Sequence, residues 1–107
     1  MKRSAPIRFA GNFWRSPLPR LKDLREFASV GGRTVVDLTQ RERPEQSRWC
    51  SALGLEYVKL PTPYEGYDAC AIAARVIALR APVLIHCFHG RDRTGAVASE
   101  IERILSC

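Results

Sequence analysis

Short apolar runs alternate along this chain with longer stretches in which apolar residues recur at helical spacing. We interpret the short runs as strands, because they have strand length and are bounded by Gly, Pro or polar residues. A short hairpin at an edge is followed by three predicted core strands; the hairpin comprises residues 7–9 and 12–15, and the core strands are 34–38, 55–60 and 83–86.

Four stretches with apolar residues every three to four positions predict amphipathic helices. Pro19 is expected in the first turn of the first helix, and Pro44 is expected to start the second, which Gly54 ends. Asp68 is expected to cap the third helix. The last helix is expected to begin near Thr94, with a core stripe formed by Val97, Ile101, Ile104 and Leu105.

The strand–helix alternation predicts an α/β fold with a mostly parallel central sheet flanked by helices. At 107 residues the chain has the usual size of one domain, so we expect residues 1–107 to form a single domain. In such sheets, ligands bind beyond the carboxyl ends of the strands. The loop that follows residues 83–86 is therefore the expected position of a site.

The chain is basic, with a net charge of +6, and the excess of Lys and Arg lies in residues 1–48. Such a field attracts anionic partners, but no aromatic–basic repeat or nucleic-acid motif supports nucleic-acid binding. Lys2 and Arg3 are followed by Pro6 without a long apolar core, so we expect no signal peptide and no membrane insertion. The four cysteines lack the spacing of a disulfide framework, which favours a reducing cytoplasm.

The most informative segment is 86–95, with the sequence HCFHGRDRTG. It places Cys87 and Arg93, separated by five residues, between a predicted strand and a predicted helix. The backbone N–H groups of residues 88–93 are expected to surround one tetrahedral anion at the positive end of the helix. Arg93 can bind two oxygens of that anion, and Cys87 beneath it is expected to be a thiolate. This arrangement predicts phosphate chemistry with a sulfur nucleophile.

The segment resembles the signature loop of the cysteine-dependent protein tyrosine phosphatases, which reads His-Cys, five residues, Arg-Thr. The whole chain is most similar to the compact, bacterial-type dual-specificity branch, with weaker similarity over residues 11–17, 33–38 and 55–61. The resemblance implies a tyrosine-phosphatase-like fold. It also implies hydrolysis of phosphate monoesters through a cysteinyl-phosphate intermediate, with no cofactor.

Only fourteen residues follow Arg93, whereas the family that the chain resembles usually has further C-terminal helices. We therefore expect a shortened C-terminal helical part and a partly exposed face of the sheet. Self-association through that face is the expected way of covering it.

The resemblance also assigns roles within the loop. Cys87 is the expected nucleophile, and Thr94 is expected to donate its hydroxyl to the Cys87 sulfur. His86 is expected to support the thiolate by holding the shape of the loop through backbone carbonyl groups. The expected phosphate ligands are the backbone N–H groups of Phe88, His89, Gly90, Arg91, Asp92 and Arg93, together with the Arg93 guanidinium.

His89 and Arg91 occupy the variable part of the loop, where their side chains are expected at the substrate rim. Two basic groups there suit a multiply phosphorylated substrate such as a phosphoinositide, and solvated loop residues are the alternative. His86, Cys87 and His89 have the residue types of metal ligands. A tight anion-binding turn directs its side chains outward, however, so no metal site is expected.

The proton donor for the leaving oxygen is open among three carboxylates. In most of the family an aspartate on a separate loop acts as the acid, and here that loop would be 61–68, with Asp68 and Glu65. Asp92 directly precedes Arg93, as in the Asp-Arg-Thr loops of lipid phosphatases, where it is the proposed acid. We favour Asp92, then Asp68, then Glu65.

Five other side chains have more limited predicted roles. Cys50 and Cys70 are predicted to be core residues on helix faces, although a thiol near Cys87 would also suit a redox partner. Tyr64 and Tyr67 are placed to wall an aryl-phosphate pocket. Asp37, at the end of a core strand, is expected to be a structural carboxylate near the site.

The predicted activity is that of a cytoplasmic phosphatase acting on phosphotyrosine and other phosphorylated proteins, with phosphoinositides as the alternative substrate. A rhodanese-like sulfur transferase is a second class, but its loop is usually shorter before the basic residue. A phosphate-binding module without turnover is the third. The shortened C-terminal part is the feature that keeps the third class open.

Overall fold

A computed structural model describes residues 5–107 of the chain. Lys2 and Arg3, on which the expectation of no signal peptide partly rests, lie outside that range. Within residues 5–107, no helix is both long enough and apolar enough to cross a membrane.

Strands and helices alternate as the sequence predicts. The strands are β1 (Ile7–Ala10), β2 (Phe13–Ser16), β3 (Thr34–Asp37), β4 (Glu56–Lys59) and β5 (Val83–His86). The helices are α1 (Leu21–Ser29), α2 (Pro44–Ala52), α3 (Ala69–Ile77) and α4 (Asp92–Leu105). Every predicted strand and helix is present, with ends that differ by one or two residues.

The strands form one sheet in the order β1-β2-β5-β3-β4. All neighbouring pairs are parallel except β1 and β2, which form the predicted antiparallel hairpin. The predicted α/β fold with a mostly parallel sheet is confirmed. β2 pairs with β5 on its other side, so the two edges of the sheet are β1 and β4. β5 occupies the centre, and the loop that leaves it opens at the carboxyl edge of the sheet, where parallel sheets bind ligands.

Two helices cover each face of the sheet. Successive strand residues point to opposite faces, so Val36 and Ile85 pack beneath α3 and α4, whereas Val35 and Leu84 pack beneath α1 and α2. All four side chains are fully buried. The expected exposed face is therefore wrong for β3 and β5, because α3 and α4 together suffice to cover it. Self-association was expected because it would cover an exposed face, so the described fold no longer gives a reason for it.

The first helix begins later than its proline indicates. Pro19 was expected in the first turn, but α1 starts at Leu21 with Arg20 as its N-cap. The Asp23 carboxylate accepts a hydrogen bond from the Arg20 N–H at 2.8 Å, which satisfies a donor that no helix carbonyl reaches. This contact sets the start of the helix after Pro19.

Two residues assigned to the core are instead exposed. Cys70 follows Ala69 on α3, and one helical step of about 100° carries it off the face that buries Ala73 and Val76. Leu105 is the last residue of α4 and is 47% exposed, so the core stripe of that helix ends at Ile104. Cys50 is fully buried, as predicted.

Candidate functional site

The segment between β5 and α4 forms a tight turn at the carboxyl edge of the sheet. Gly90 has φ of +76°, a backbone conformation that other residues rarely adopt. A Cβ atom on Gly90 would lie 2.7 Å from the backbone nitrogen of Pro17 and 2.9 Å from the Ser16 carbonyl oxygen. Both the turn and the close approach of the two backbones therefore require glycine.

The chain that leaves β2 braces this turn. Arg15 donates from Nη2 to the Gly90 carbonyl at 2.9 Å, and the Leu18 N–H donates to the Phe88 carbonyl at 3.0 Å. On the opposite side, the Leu38 N–H donates to the His86 carbonyl at 2.8 Å. The turn is therefore held by backbone bonds from both neighbouring strands.

Cys87 lies at the base of the turn and is 2% exposed. Its Sγ accepts a hydrogen bond from the Gly90 N–H at 3.3 Å. Burial by itself raises the pKa of the Cys87 thiol. The hydroxyl and N–H of Thr94, the Gly90 N–H and the positive charge of Arg93 outweigh burial and hold that pKa below the ordinary thiol value. Cys87 therefore ionises more readily than an ordinary cysteine thiol.

Thr94 lies in the first turn of α4 and is fully buried. Its hydroxyl lowers the pKa of Cys87, although its approach to the sulfur falls short of a well-directed hydrogen bond and Oγ1 has no other partner. A buried hydroxyl without a partner is costly. The Thr94 hydroxyl therefore lies close enough to Cys87 to act on its thiol, and its role in a reaction stays a prediction.

Arg93 is also buried, with 3% of its surface exposed. Its Nη1 donates to the Thr62 carbonyl at 2.9 Å and to the Leu38 carbonyl at 3.4 Å, which ties the guanidinium to the loops after β4 and β3. Its Nε is buried and has no hydrogen-bond partner. A guanidinium fixed at one nitrogen and unpartnered at another is prepared to bind an anion.

Tyr64 stacks over this guanidinium, with 4.1 Å between Arg93 Cζ and the ring centroid. A cavity of about 230 Å³ opens beside the pair, and Phe88 and three arginines contribute to its walls. Tyr64 therefore lies at the site, as predicted. Tyr67 is half-buried and does not line this cavity.

Asp37 ends β3 next to the turn, and both of its carboxylate oxygens accept hydrogen bonds. Its Oδ1 accepts hydrogen bonds from the N–H and hydroxyl of Thr39, and its Oδ2 accepts them from Tyr57 Oη at 2.6 Å and Lys59 Nζ at 3.0 Å. Burial opposes its charge, but the positive charge that His86 carries at low pH and the hydrogen bonds from Thr39 and Tyr57 hold the pKa of Asp37 below its usual value. It is an ionised structural carboxylate, as expected from its position at the end of β3.

His86 is completely buried beneath the turn. Its Nε2 lies 2.7 Å from Gln46 Oε1 and its Nδ1 lies 3.2 Å from the Cys87 carbonyl oxygen. Burial lowers the pKa of His86 to about 4, so the ring is neutral near pH 7. The contact with the Cys87 carbonyl agrees with the predicted role of His86 in shaping the loop. A neutral ring adds no charge to stabilise the thiolate.

This burial gives a pH dependence of stability. The folded-state pKa of His86 lies below its ordinary value of 6.5, so the unfolded chain binds the proton more tightly. We expect this contribution to be fully present above pH 6.5 and to decrease as the pH falls toward 4, by about 3 kcal/mol in all. Urea unfolding of the wild type and of His86→Asn across that range measures it. Equal slopes in the two proteins would contradict the assignment.

The other side chains of the turn point outward. Phe88, His89, Arg91 and Asp92 are exposed, and the His89 ring packs edge-on against Phe88 with 4.8 Å between ring centroids. Within residues 5–107, no group of three or more His, Cys, Asp or Glu side chains is arranged to hold a metal ion. His89 and Arg91 therefore lie at the rim, where the sequence places them.

The three candidate acids all lie at the surface. Asp92 is the first residue of α4, and Asp68 caps α3 by accepting a hydrogen bond from the Ala71 N–H at 3.1 Å. Glu65 is exposed in the segment between β4 and α3. The predicted capping role of Asp68 is confirmed. None of the three carboxylates makes a hydrogen bond to the turn within the described part of the chain, so the choice of acid stays a prediction.

Comparison with known proteins agrees with the fold and with the motif. A model of the tyrosine phosphatase family matches residues 56–107, which contain the entire 86–95 segment. The chain is also 28% identical over 97 residues to the dual specificity protein phosphatase TpbA of Pseudomonas aeruginosa, a match that covers 86% of this chain. Residues 56–107 are therefore similar to the tyrosine phosphatase family, and the chain over most of its length is similar to a dual specificity phosphatase.

Solved phosphatase structures have the same fold as this chain. The core catalytic domain of the PP-IP phosphatase SIW14 from S. cerevisiae, solved with citrate, has a TM-score of 0.81 at 19% identity, over 100% of this chain and 70% of that one. TpbA from P. aeruginosa has a TM-score of 0.77 at 24% identity, over 94% of this chain and 64% of that one. A cysteine-to-serine form of TpbA was solved in complex with pTyr. This chain spans 43% of the length of the curated TpbA sequence.

Sequence reasoning missed several residues that build this phosphatase-type turn. Arg15 in β2 donates a hydrogen bond to the Gly90 carbonyl, and Gln46 in α2 lies within hydrogen-bond distance of His86. Lys59 in β4 donates a hydrogen bond to the Asp37 carboxylate. Gln46 had a usable signal, since it lies four residues before Cys50 and so shares its buried helix face. Arg15 and Lys59 had none, because their partners are distant in sequence.

Cys50 and Cys70, the two cysteines considered as redox partners, are not placed to react with Cys87. Burial, followed by the negative charge of Asp37, raises the pKa of Cys50 to about 12, and Cys50 packs on the opposite face of the sheet from Cys87. Cys70 is exposed on α3, where Arg103 Nη2 lies 3.5 Å from its sulfur. The structure therefore offers neither of them as a redox partner for Cys87.

Proposed function

We propose that the chain is a phosphate monoester hydrolase that acts through a cysteinyl-phosphate intermediate, with phosphotyrosine and other phosphorylated proteins as substrates. The observation that carries the proposal is the pairing of two buried groups. Cys87 has a lowered pKa, and Arg93 has a buried, unpartnered Nε close enough for its charge to act on that thiol. A nucleophile next to a hydrogen-bond donor that can bind an anion suits phosphoryl transfer.

In the first step, the Cys87 thiolate attacks phosphorus in line with the leaving oxygen, and the P–O bond breaks as the S–P bond forms. The Nε side of Arg93, the N–H groups of the turn and the positive end of α4 bind the equatorial oxygens. Nη1 of Arg93 is occupied by two carbonyl groups, so the guanidinium enters the reaction already oriented.

In the second step, water attacks the phosphocysteine, and the thiolate of Cys87 leaves. Thr94 stabilises that thiolate through its hydroxyl and its N–H, which already act to lower the pKa of the thiol. The acid that protonated the leaving oxygen in the first step takes a proton from water in this one.

We propose Asp92 as that acid. It lies in the first turn of α4, next to Arg93, and has no capping bond of the kind that occupies Asp68. Asp68 and then Glu65 are the alternatives, both on the segment before or at the start of α3.

Three matched variants, Asp92→Asn, Asp68→Asn and Glu65→Gln, test the choice of acid. An acid is active only when protonated, so kcat of the wild type falls as the pH rises through its pKa. We expect Asp92→Asn to lose that fall and to lower kcat by about a hundredfold on phenyl phosphate, whose leaving group needs a proton. The loss on para-nitrophenyl phosphate is smaller, because its leaving group departs as an anion.

Retention of the high-pH fall in Asp92→Asn and its loss in Asp68→Asn would transfer the role to Asp68. Absence of phosphate release by the unmodified chain in reducing buffer would contradict the proposed activity. Thiocyanate formation from thiosulfate and cyanide would then support sulfur transfer, and phosphopeptide binding without turnover would support a binding module.

Two relatives support different substrates. TpbA was solved with pTyr, and SIW14 is described as a PP-IP phosphatase. We therefore keep phosphoinositide hydrolysis by the same mechanism as the alternative. A thiolate nucleophile needs reducing conditions, so we propose the cytoplasm as the compartment.

A further inference from the structure

Arg15 of β2 lies against the 86–95 segment from outside it. Its side chain is on the same face of the sheet as that of Phe13, which is the face that α3 and α4 cover. Its Nη2 donates to the Gly90 carbonyl at 2.9 Å, and a Cβ atom on Gly95 would lie 3.4 Å from the same nitrogen. The Arg15 guanidinium is therefore placed between the turn after β5 and the first turn of α4.

This position does not by itself favour a positive charge. The first turn of a helix carries partial positive charge, which repels a cation. Arg15 is half-buried, and no carboxylate within residues 5–107 forms an ion pair with it. Arg93 brings a second guanidinium to the same turn. An anion bound in the turn would offset the repulsion among these positive groups.

The hydrogen bond from Arg15 acts on one peptide group of the turn. The carbonyl of Gly90 and the N–H of Arg91 belong to the same peptide, which is trans. In a trans peptide the C=O and the N–H point in opposite directions, so the Arg91 N–H points away from Arg15. This N–H makes no hydrogen bond within residues 5–107. It is also one of the six N–H groups that the sequence predicts to bind an anion.

A neighbouring peptide has the same arrangement with a neutral donor. The Leu18 N–H donates to the Phe88 carbonyl at 3.0 Å, and the N–H of His89 in the same peptide has no hydrogen-bond partner in the described chain. The donor to Gly90 differs because it is charged. A charge-assisted hydrogen bond is stronger, and it polarises the peptide so that the N–H at the other end becomes a better donor.

We propose that Arg15 is a positioning residue for phosphate binding. By donating to the Gly90 carbonyl it fixes and polarises the Gly90–Arg91 peptide, and the Arg91 N–H then binds an equatorial oxygen of the phosphoryl group. The inference rests on the proposed phosphatase function and assigns part of its anion binding to a residue outside the 86–95 segment. Arg15 acts through this peptide without contacting the substrate, whereas Arg93 binds the anion directly.

The first test is calorimetry with tungstate, a tetrahedral dianion that a phosphatase does not hydrolyse. It compares the unmodified chain with Arg15→Met and with Arg8→Met. Arg8 is exposed on β1 of the same hairpin and pairs with Trp14, so its side chain lies on the opposite face of the sheet from Arg15. We expect Arg15→Met to raise the tungstate Kd by about tenfold and Arg8→Met to change it far less. Equal weakening by the two variants would show only a general charge effect and would overturn the proposal.

Steady-state kinetics on phenyl phosphate separate positioning from a purely structural role. We expect kcat/KM of Arg15→Met to fall by about thirtyfold at a temperature at which thermal unfolding shows the variant to be fully folded. This is less than the loss of about a hundredfold or more that follows removal of an oxyanion donor itself. If Arg15 only stabilises the fold, the folded variant will keep the wild-type tungstate Kd and kcat/KM, and the proposal is wrong.

Arg15→Lys decides the question if Arg15→Met does not fold. Lysine keeps the charge but lacks the planar fork that reaches the Gly90 carbonyl. We expect a rise in the tungstate Kd of about threefold. A folded Arg15→Lys with the wild-type Kd would overturn the proposal.

The proposed phosphatase function fails by a different result. If the unmodified chain releases no phosphate from para-nitrophenyl phosphate, the activity is refuted, but the tungstate comparison still decides whether Arg15 supports anion binding. If the chain hydrolyses para-nitrophenyl phosphate and folded Arg15→Met binds tungstate as the unmodified chain does, the activity stands and the role of Arg15 is refuted.

Discussion

Replacing Cys87 with serine is expected to abolish phosphate release, with a loss in kcat of about four orders of magnitude or more. The turn lowers the pKa of the Cys87 thiol through Thr94, the Gly90 N–H and Arg93, but the same donors cannot ionise a serine hydroxyl near neutral pH. Phosphate release from para-nitrophenyl phosphate in reducing buffer measures the loss. Binding of inorganic phosphate should persist, because the N–H groups and Arg93 remain.

Cys70→Ser is the matched control, since Cys70 is exposed on α3 and contacts Arg103 rather than the turn. Alkylation by iodoacetamide adds an independent measurement. Cys87 should react at a lower pH than Cys50, because burial raises the pKa of Cys50 to about 12. Turnover by Cys87→Ser at a few per cent of the wild-type rate would contradict the phosphocysteine mechanism.

The second large effect is expected for Arg93→Lys, a loss in kcat/KM of about a thousandfold. Arg93 does two things at once, since its Nη1 binds the Thr62 and Leu38 carbonyls while its Nε remains for an anion. A single ammonium group cannot occupy both positions. Stacking of the guanidinium on Tyr64 is also lost.

Arg75→Lys, an exposed change on α3, is the control for the loss of a guanidinium. Steady-state kinetics on phenyl phosphate and thermal unfolding of both variants separate catalysis from stability. If Arg93→Lys keeps more than about a tenth of the wild-type kcat/KM while folding normally, Arg93 is not the principal phosphate ligand.

The sheet and its central turn follow from local patterns. Strand-length apolar runs and helical spacing predict each element in order, since burial of one face imposes a period of two on strands and 3.6 on helices. The motif places Gly90 within the predicted anion-binding turn. The close approach of Gly90 to Ser16 and Pro17 was not predictable, because those residues lie at the end of β2, far from Gly90 in the sequence.

The sequence predictions were wrong where one local pattern is compatible with two structures. Cys70 and Leu105 are apolar in type, but their faces depend on where α3 and α4 meet the rest of the fold. Pro19 is compatible with a first helical turn, yet the Asp23 contact with the Arg20 N–H starts the helix later. The expectation of a partly exposed sheet face rested on the small number of residues after Arg93, and α3 with α4 covers that face.

The sequence by itself determined that Cys87 and Arg93 lie in the same turn. A cysteine and an arginine separated by five residues, between a strand and a helix, must meet in one turn because the chain between them is short. Only the tertiary structure decided what holds that turn and what surrounds it. Gln46 reaches His86 across 40 positions, and Lys59 reaches Asp37 across 22. Contacts over such separations depend on strand order and helix packing, which no local pattern encodes.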